Sequence, residues 1–232
     1  MSSYIFQPPS VVAVPVRGSD ALLPIRRIFC VGRNYEAHAR EMGSVADRSA
    51  PFYFMKDASA YVPSGGTMAY APGTGNLHYE MEFVVVIGRA GFQIPQEQAL
   101  DYVFGYACGL DMTRRDLQTQ AKDQQRPWDL GKNFEQSAGL SEIVPATQCG
   151  HPARGSIELW LNGELRQSAD IATMVHPVPA LIAHLSRYYH LQPGDLIYTG
   201  TPEGVGPVAP GDRITGSIEG VGEIALAIGP AA

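Results

Sequence analysis

The stretch that most constrains this chain is Leu77-His78-Tyr79-Glu80-Met81-Glu82-Phe83-Val84-Val85-Val86-Ile87-Gly88, in which two acids lead into five consecutive apolar residues. Every one of those five is aromatic or β-branched, which predicts a buried strand. A period of two then puts Glu80 and Glu82 on one face, with Cβ atoms roughly 6 to 7 Å apart. Two carboxylates side by side at the entry to a buried strand are in electrostatic conflict. At an effective dielectric of 20, unit charges 4 Å apart repel by about 4 kcal/mol. A bound cation removes that conflict. Solvent exposure or pairing with Lys and Arg removes it too, and for an arbitrary Glu-x-Glu that is the commoner outcome.

Around this segment the chain reads as one domain spanning residues 1–232, with an N-terminal extension over 1–23 and a core over 24–232. Its 232 residues suit one large domain or two small ones, and Gly and Pro are scattered without a linker or repeat. Hydrophobic residues at 45% and charged residues at 17% allow a sizeable core. A net charge of -6 with no basic cluster makes nucleic acid and anionic membrane poor partners. No apolar run approaches the roughly 18 residues of a bilayer span, and residues 1–20 lack the pattern of an export signal. Three separated cysteines, Cys30, Cys108 and Cys149, fit reduced thiols in a cytoplasmic protein.

Strand-like runs cover 27–32, 51–56, 77–87, 106–112, 157–167, 196–199 and 214–228, with Asn162-Gly163 as a hairpin turn inside the fifth. Helical patterns cover 35–42, 96–104, 113–125 and 179–190. Strand–helix alternation is absent, which argues against a doubly wound or barrel fold. The expected class is α+β on a mixed, curled sheet. Thr113 and Asp116 resemble a capping box, while Asn34 and Gly43 mark a possible start and stop of the first helix.

A third acid, Asp111, closes the run 106–110 just before a predicted helix. Three carboxylates without a His or Cys cluster suit a hard divalent cation, Mg2+, Mn2+ or Ca2+, better than zinc. His38 and Glu41 stand at i and i+3 on the first helix, where a carboxylate can fix an imidazole tautomer and raise its basicity. Taken alone, the same pair also fits an exposed ion pair. Arg114, Arg115, Gln118 and Lys122 share the helix over 113–125, and near a metal such groups would bind a substrate carboxylate. Gly204 to Ala209 superficially fits a dinucleotide fingerprint, but Pro207 and Pro210 prevent a helix there. Neither a P-loop nor a nucleophile elbow occurs.

The motifs GRNYEAHAREMG, PFYFMK, LHYEMEFVVVIG, YACGLDMTRRDLQ, RPWDLGKNF, LNGELRQ and PGDLIYTGTPEGVGPV, in that order, resemble the fumarylacetoacetate hydrolase family and within it the short acylpyruvate hydrolases. The resemblance runs from about Ile28 to Gly229. It implies a mixed β-sandwich roll with a few short helices, usually assembled as a homodimer. It also implies Glu80, Glu82 and Asp111 as metal ligands, and His38 and Glu41 as a water-activating dyad on a lid helix. Lys132 falls at the position of a lysine near the metal and is expected to act beside His38 and Glu41 as a catalytic residue that stabilises developing negative charge. Arg33, Arg114, Gln118, Tyr198 and Thr201 fall at positions lining the substrate pocket. The implied activity is hydrolysis of a carbon–carbon bond in a 2,4-diketo acid, foremost fumarylpyruvate to fumarate and pyruvate. Oxaloacetate decarboxylation and diketo-acid isomerisation are alternatives on the same scaffold, as is a non-catalytic metal and carboxylate binder. Asp57, Tyr79 and Glu135 depart from the family pattern, and Asp57 adds negative charge near an expected anionic pocket.

Overall fold

A computed structural model describes residues 3–231. In it the apolar run becomes the strand Met81–Ile87, every residue of which is buried. Antiparallel neighbours flank it on both sides, Val103–Asp111 and Asp195–Tyr198. Its side chains alternate between two cores: Met81, Phe83, Val85 and Ile87 enter the larger one, Val84 and Val86 the smaller. A strand covered on both faces cannot alternate with polar residues, so the sequence shows an unbroken apolar run. Each such Val or Ile contributes roughly 1.5 to 3 kcal/mol by burial.

The main sheet has eight strands, with Phe52–Lys56, Arg27–Gly32 and Asp195–Tyr198 on one side of Met81–Ile87. On the other side lie Val103–Asp111, Ala138–Leu140 and Tyr61–Pro63, with Val144–Pro145 also pairing to Val103–Asp111. Asp195–Tyr198 runs parallel to Arg27–Gly32, and Ala138–Leu140 parallel to Tyr61–Pro63, so the sheet is mixed. A five-stranded sheet, Glu164–Asp170, Ser156–Leu161, Arg213–Ile218, Gly222–Ala231 and Thr67–Tyr70, contributes Ile157, Leu159, Ile214 and Leu226 to the larger core. The fold is the expected α+β mixed β-sandwich with few, short helices.

Several boundaries differ from the sequence expectation. The strand over 77–87 breaks at Glu80 into Leu77–Tyr79 and Met81–Ile87, because Leu77–Tyr79 leaves to pair with Thr113–Arg114 and Gly206–Pro207. The run 214–228 is a hairpin, turned at Gly220, whose φ of 75° suits glycine. Asn162 and Gly163, with φ of 54° and 84°, form the two-residue turn as expected. The helix over 96–104 is the 3-10 helix Gln96–Tyr102. The helix over 113–125 begins at Arg115, and no capping box forms: Thr113 Oγ1 donates to Asp111 O, and Asp116 accepts from Thr74 and Gly75. Asn34 does not cap Glu36–Glu41 either, since its amide is spent on His176 and Thr199. The segment assigned as an extension supplies the hairpin of Ala13–Pro15 and Leu22–Pro24, and Val14 and Val16 enter the smaller core. Cys30 and Cys108 are buried, Cys149 is half-buried, and all three are free thiols.

Candidate active site

The ladder between Met81–Ile87 and Val103–Asp111 decides where the acids meet. Met81 lies opposite Leu110 and Glu82 opposite Gly109, and the Asp111 amide donates to Glu80 O at 2.9 Å. Asp111 is therefore the cross-strand neighbour of Glu80, and Glu82 sits two residues on along the same face. Ligand oxygens of Glu80, Glu82 and Asp111 lie within 4.8 Å of one another, and all three residues are buried. They occupy the face that carries Val84, Val86, Cys30 and Tyr198, so the cluster stands at the mouth of the smaller core.

Cations surround these carboxylates. Lys132 Nζ donates to Glu80 Oε2, Asp111 Oδ2 and Thr113 Oγ1, each at 2.7 Å, which uses all three ammonium protons. Burial opposes the charge on Lys132, but Asp111 and Glu80 outweigh it and raise its pKa. Arg115 donates to Glu80 Oε1 and to Gln118 Oε1. Burial would raise the Glu80 pKa, yet Lys132 and Arg115 hold it below the usual carboxylate range. Glu82 behaves oppositely: burial, then Asp111 and Glu80, push its pKa well up, and one backbone amide, Gly200 N–H at 2.7 Å from Oε2, supports its charge. Lys56 Nζ donates to the carbonyls of Met112 and Lys132 and lies 2.8 Å from Asp111 Oδ1, its ion-pair partner. Three buried carboxylates converging as an all-oxygen donor set, one of them resisting ionisation, fit a hard divalent cation.

Gly200 fixes the neighbouring backbone. Its φ is 96°, and a Cβ there would come within 2.9 Å of Asn34 Cβ and 3.1 Å of Val31 O. Only glycine takes that conformation in that space while presenting its N–H to Glu82. Gln167 ties the same loop to the start of Met81–Ile87, accepting from Met81 N and donating to Thr201 Oγ1 and Pro202 O.

The short helix Glu36–Glu41 stands over the cluster. His38 is buried, with Nδ1 3.2 Å from Glu41 Oε2, and Glu41 Oε1 accepts from Gly204 N–H at 3.0 Å. A carboxylate can only accept, so in the neutral imidazole Nδ1 carries the proton and Nε2 the lone pair. Nε2 makes no hydrogen bond among the described residues. His38, Glu41, Glu80, Glu82 and Lys132 line a single cavity of about 360 Å³, which also takes in Arg33, Gln118 and Thr201.

Two expected pocket residues lie elsewhere. Tyr198 is fully buried in the smaller core, with its hydroxyl donating to Gly139 O at 2.9 Å. Its ring fills the space that Gly109 leaves open, where a Cβ would come within 2.7 Å of Tyr198 Cε1. Arg114 turns away from the cavity, donating to Leu130 O at 3.1 Å and lying 4.3 Å from the Phe134 ring centroid. Arg115 reaches the site instead. Because Thr113–Arg114 is a strand, the helix starts two residues later than expected and the second arginine turns inward. Lys132 meets the carboxylates as expected, but its engaged protons make it a positioning residue for them. Asp57, Tyr79 and Glu135 do not line the cavity. Asp57 caps the turn Ala58–Ala60, accepting from Ser59 N, and Tyr79 donates to Gly204 O. Lys56 and Trp128 escaped the sequence reading. A lysine closing a strand of aromatics was the one available signal for the first.

The profile of the fumarylacetoacetate (FAA) hydrolase C-terminal family matches residues 27–228. The chain belongs to the fumarylacetoacetate hydrolase family. Within it, a fumarylpyruvate hydrolase from a Ralstonia species is 53% identical over 192 residues, covering 82% of this chain and 100% of that protein. Human mitochondrial oxaloacetate tautomerase FAHD1 is 43% identical over 196 residues, covering 84% of this chain and 88% of the relative. The crystal structure of fumarylpyruvate hydrolase from Pseudomonas aeruginosa in complex with Mn2+ and pyruvate aligns with a TM-score of 0.95 at 48% identity, covering 98% of this chain and 100% of that one. No helix among the described residues is long and apolar enough to cross a membrane.

Proposed function

We propose that this member of the fumarylacetoacetate hydrolase family is a divalent-cation-dependent hydrolase that cleaves fumarylpyruvate to fumarate and pyruvate. The observation that carries the proposal is one cavity holding both the Glu80, Glu82 and Asp111 cluster and an imidazole whose Nδ1 is fixed by Glu41. Glu80, Glu82 and Asp111 would hold the ion, Mg2+ or Mn2+. Bound there, it supplies positive charge opposite the 2-keto acid end, where negative charge grows as the carbon–carbon bond breaks.

His38 Nε2 takes a proton from water, and the water oxygen attacks the keto carbon on the fumaryl side. Glu41 keeps Nδ1 protonated and stabilises the imidazolium that forms. As the adduct collapses, the bond between that carbon and the methylene breaks and its electron pair passes to the methylene carbon. Protonation of that carbon gives pyruvate, while the water oxygen stays in the new fumarate carboxylate. Gln118, whose amide N–H groups have no partner among the described residues, and Thr201 orient the substrate, and Lys132 and Arg115 keep Glu80 ionised and in place. On the same reading residues 24–232 form the catalytic unit, 1–23 its extension, and the enzyme works as a cytoplasmic homodimer.

A tautomerase reading draws support from the 43%-identical oxaloacetate tautomerases. Oxygen labelling separates it from hydrolysis. In 18O water with Mn2+, the hydrolase places one labelled oxygen in each fumarate produced. Interconversion of keto and enol oxaloacetate without cleavage of fumarylpyruvate would overturn the hydrolase reading in favour of the tautomerase.

A further inference from the structure

The cavity carries more positive charge than its metal end uses. Four acidic and four basic side chains line it. Arg115 and Lys132 are committed to Glu80, and Glu41 to His38. Among the described residues, Arg33 and Lys122 are the lining cations with no carboxylate partner. Asp123, the remaining acid on the rim, makes no ion pair with either. With Asp111 of the cluster and its partner Lys56 counted too, acids and bases balance, so a divalent cation leaves the site two charges positive, which matches a substrate with two negative charges better than one with a single charge.

The placement of the free cations points the same way. Arg115, Gln118 and Lys122 stand at i, i+3 and i+7 on Arg115–Asp123 and share one face, which lines the cavity. Seven residues along a helix span about 10 Å, so Lys122 stands at the end of the cavity away from Glu80. Its ammonium donates once, to Met42 O at 3.1 Å, and keeps two protons for a ligand. Arg33 also lines the cavity, its guanidinium carbon 6.0 Å from the Trp128 ring centroid, with no hydrogen bond to a described residue. Its φ of 58° is unusual for a residue other than glycine and holds it where the strand Arg27–Gly32 gives way to the lid.

We infer that Lys122 and Arg33 form a carboxylate subsite for the acyl end of the substrate, selecting diketo acids that carry a second, terminal carboxylate over acylpyruvates with a neutral acyl end. The inference rests on the hydrolase reading. Fumarylpyruvate, seven carbons long, carries a carboxylate at each end, one for the metal cluster and one for these cations, whereas five-carbon acetylpyruvate ends in a methyl group that neither cation can hold.

The test compares kcat/KM for fumarylpyruvate and acetylpyruvate in the Mn2+-loaded full chain and in its K122M, R33M and K122R variants. Loss of a hydrogen-bonded charge pair should cut the preference for fumarylpyruvate at least about tenfold in K122M and R33M, mainly through KM, with K122R restoring part of it. Equal losses on both substrates would mean that Lys122 merely fastens the lid through Met42 and would overturn the subsite, as would an unchanged preference. Calorimetric titration of both compounds into the Mn2+-loaded H38A chain, with and without K122M, reads the same selectivity without turnover. A wild-type chain that hydrolyses neither compound would refute the hydrolase reading, and these titrations would still decide the subsite: selective fumarylpyruvate binding that K122M abolishes supports it, and indifference to the terminal carboxylate overturns it.

Discussion

At the residue scale, His38 and Asp111 separate the two parts of the site. His38→Gln removes the base while leaving the carboxylates intact, so turnover should fall about 10²- to 10⁴-fold with Mn2+ affinity kept within a few-fold. Asp111→Ala removes a ligand, strands the buried Lys56 without a counter-charge and leaves Lys132 with Glu80 as its one carboxylate partner. Mn2+ binding and activity should disappear together, and isothermal titration beside steady-state kinetics distinguishes the two patterns. Metal loss in H38Q, or full activity in D111A, would break the assignment. The carboxylates were legible in the sequence because period 2 puts Glu80 and Glu82 on one face, an argument that survives the strand break at Glu80. Arg114 was chosen over Arg115 because the family motif offers two adjacent arginines, and only the strand Thr113–Arg114 with the helix start at Arg115 decides which of them turns inward. Tyr198 was misplaced because the gap left by Gly109 is a property of the neighbouring strand and invisible in the local sequence.

At the scale of elements, the lid is too short to hold itself. Six residues without a side-chain cap form a marginal helix, so Glu36–Glu41 depends on its anchors. Asn34 is the main one: its side chain donates to His176 O and Thr199 O and accepts from His176 N. Asn34→Ala leaves those buried groups unpaired and should cost about 2 to 4 kcal/mol in urea unfolding, with turnover falling as the His38 backbone loosens. Full stability in N34A would show that the lid is held elsewhere. Asp116 makes a pH prediction. Burial works against its charge, but hydrogen bonds from Thr74 Oγ1, at 2.5 Å, and Gly75 N–H prevail and lower its pKa. A lowered carboxylate stabilises the fold above its ordinary pKa and loses that contribution as pH falls through the lower, folded value. Asp116→Asn should therefore destabilise the protein at pH 7 and converge with the parent as pH falls through the lowered, folded pKa; a deficit that stays the same down to acid pH would contradict this. The long strands and the Asn162-Gly163 hairpin were legible because their patterns are local. Short edge pieces such as Tyr61–Pro63 and Ala138–Leu140 were not, since three residues held by a parallel partner carry no periodicity of their own.

For the whole molecule, the cation should matter to stability as well as to chemistry. An ion at the cluster offsets the burial of the carboxylates, Glu82 above all, and at a hundred times its Kd it adds about 2.7 kcal/mol. For a chain of this size Mn2+ should raise Tm by about 5 to 10 °C over the metal-stripped protein, whereas D111A should show no shift. A Tm indifferent to Mn2+ in the parent chain would count against the cluster as the binding site. The fold class and the family were legible because motifs spread over nearly the whole chain keep their order. The cavity was not, because Arg33, His38, Lys122 and Glu80 meet only after separate elements have folded. The central claim is that the dyad and the carboxylate cluster act as one hydrolytic site, and the most direct measurement follows fumarylpyruvate absorbance with the metal-stripped protein before and after Mn2+ is added. The account predicts no decay without the ion, rapid decay with it, and fumarate and pyruvate in equal amounts; decay at the same rate without the ion, or no decay after Mn2+ is restored, would contradict it.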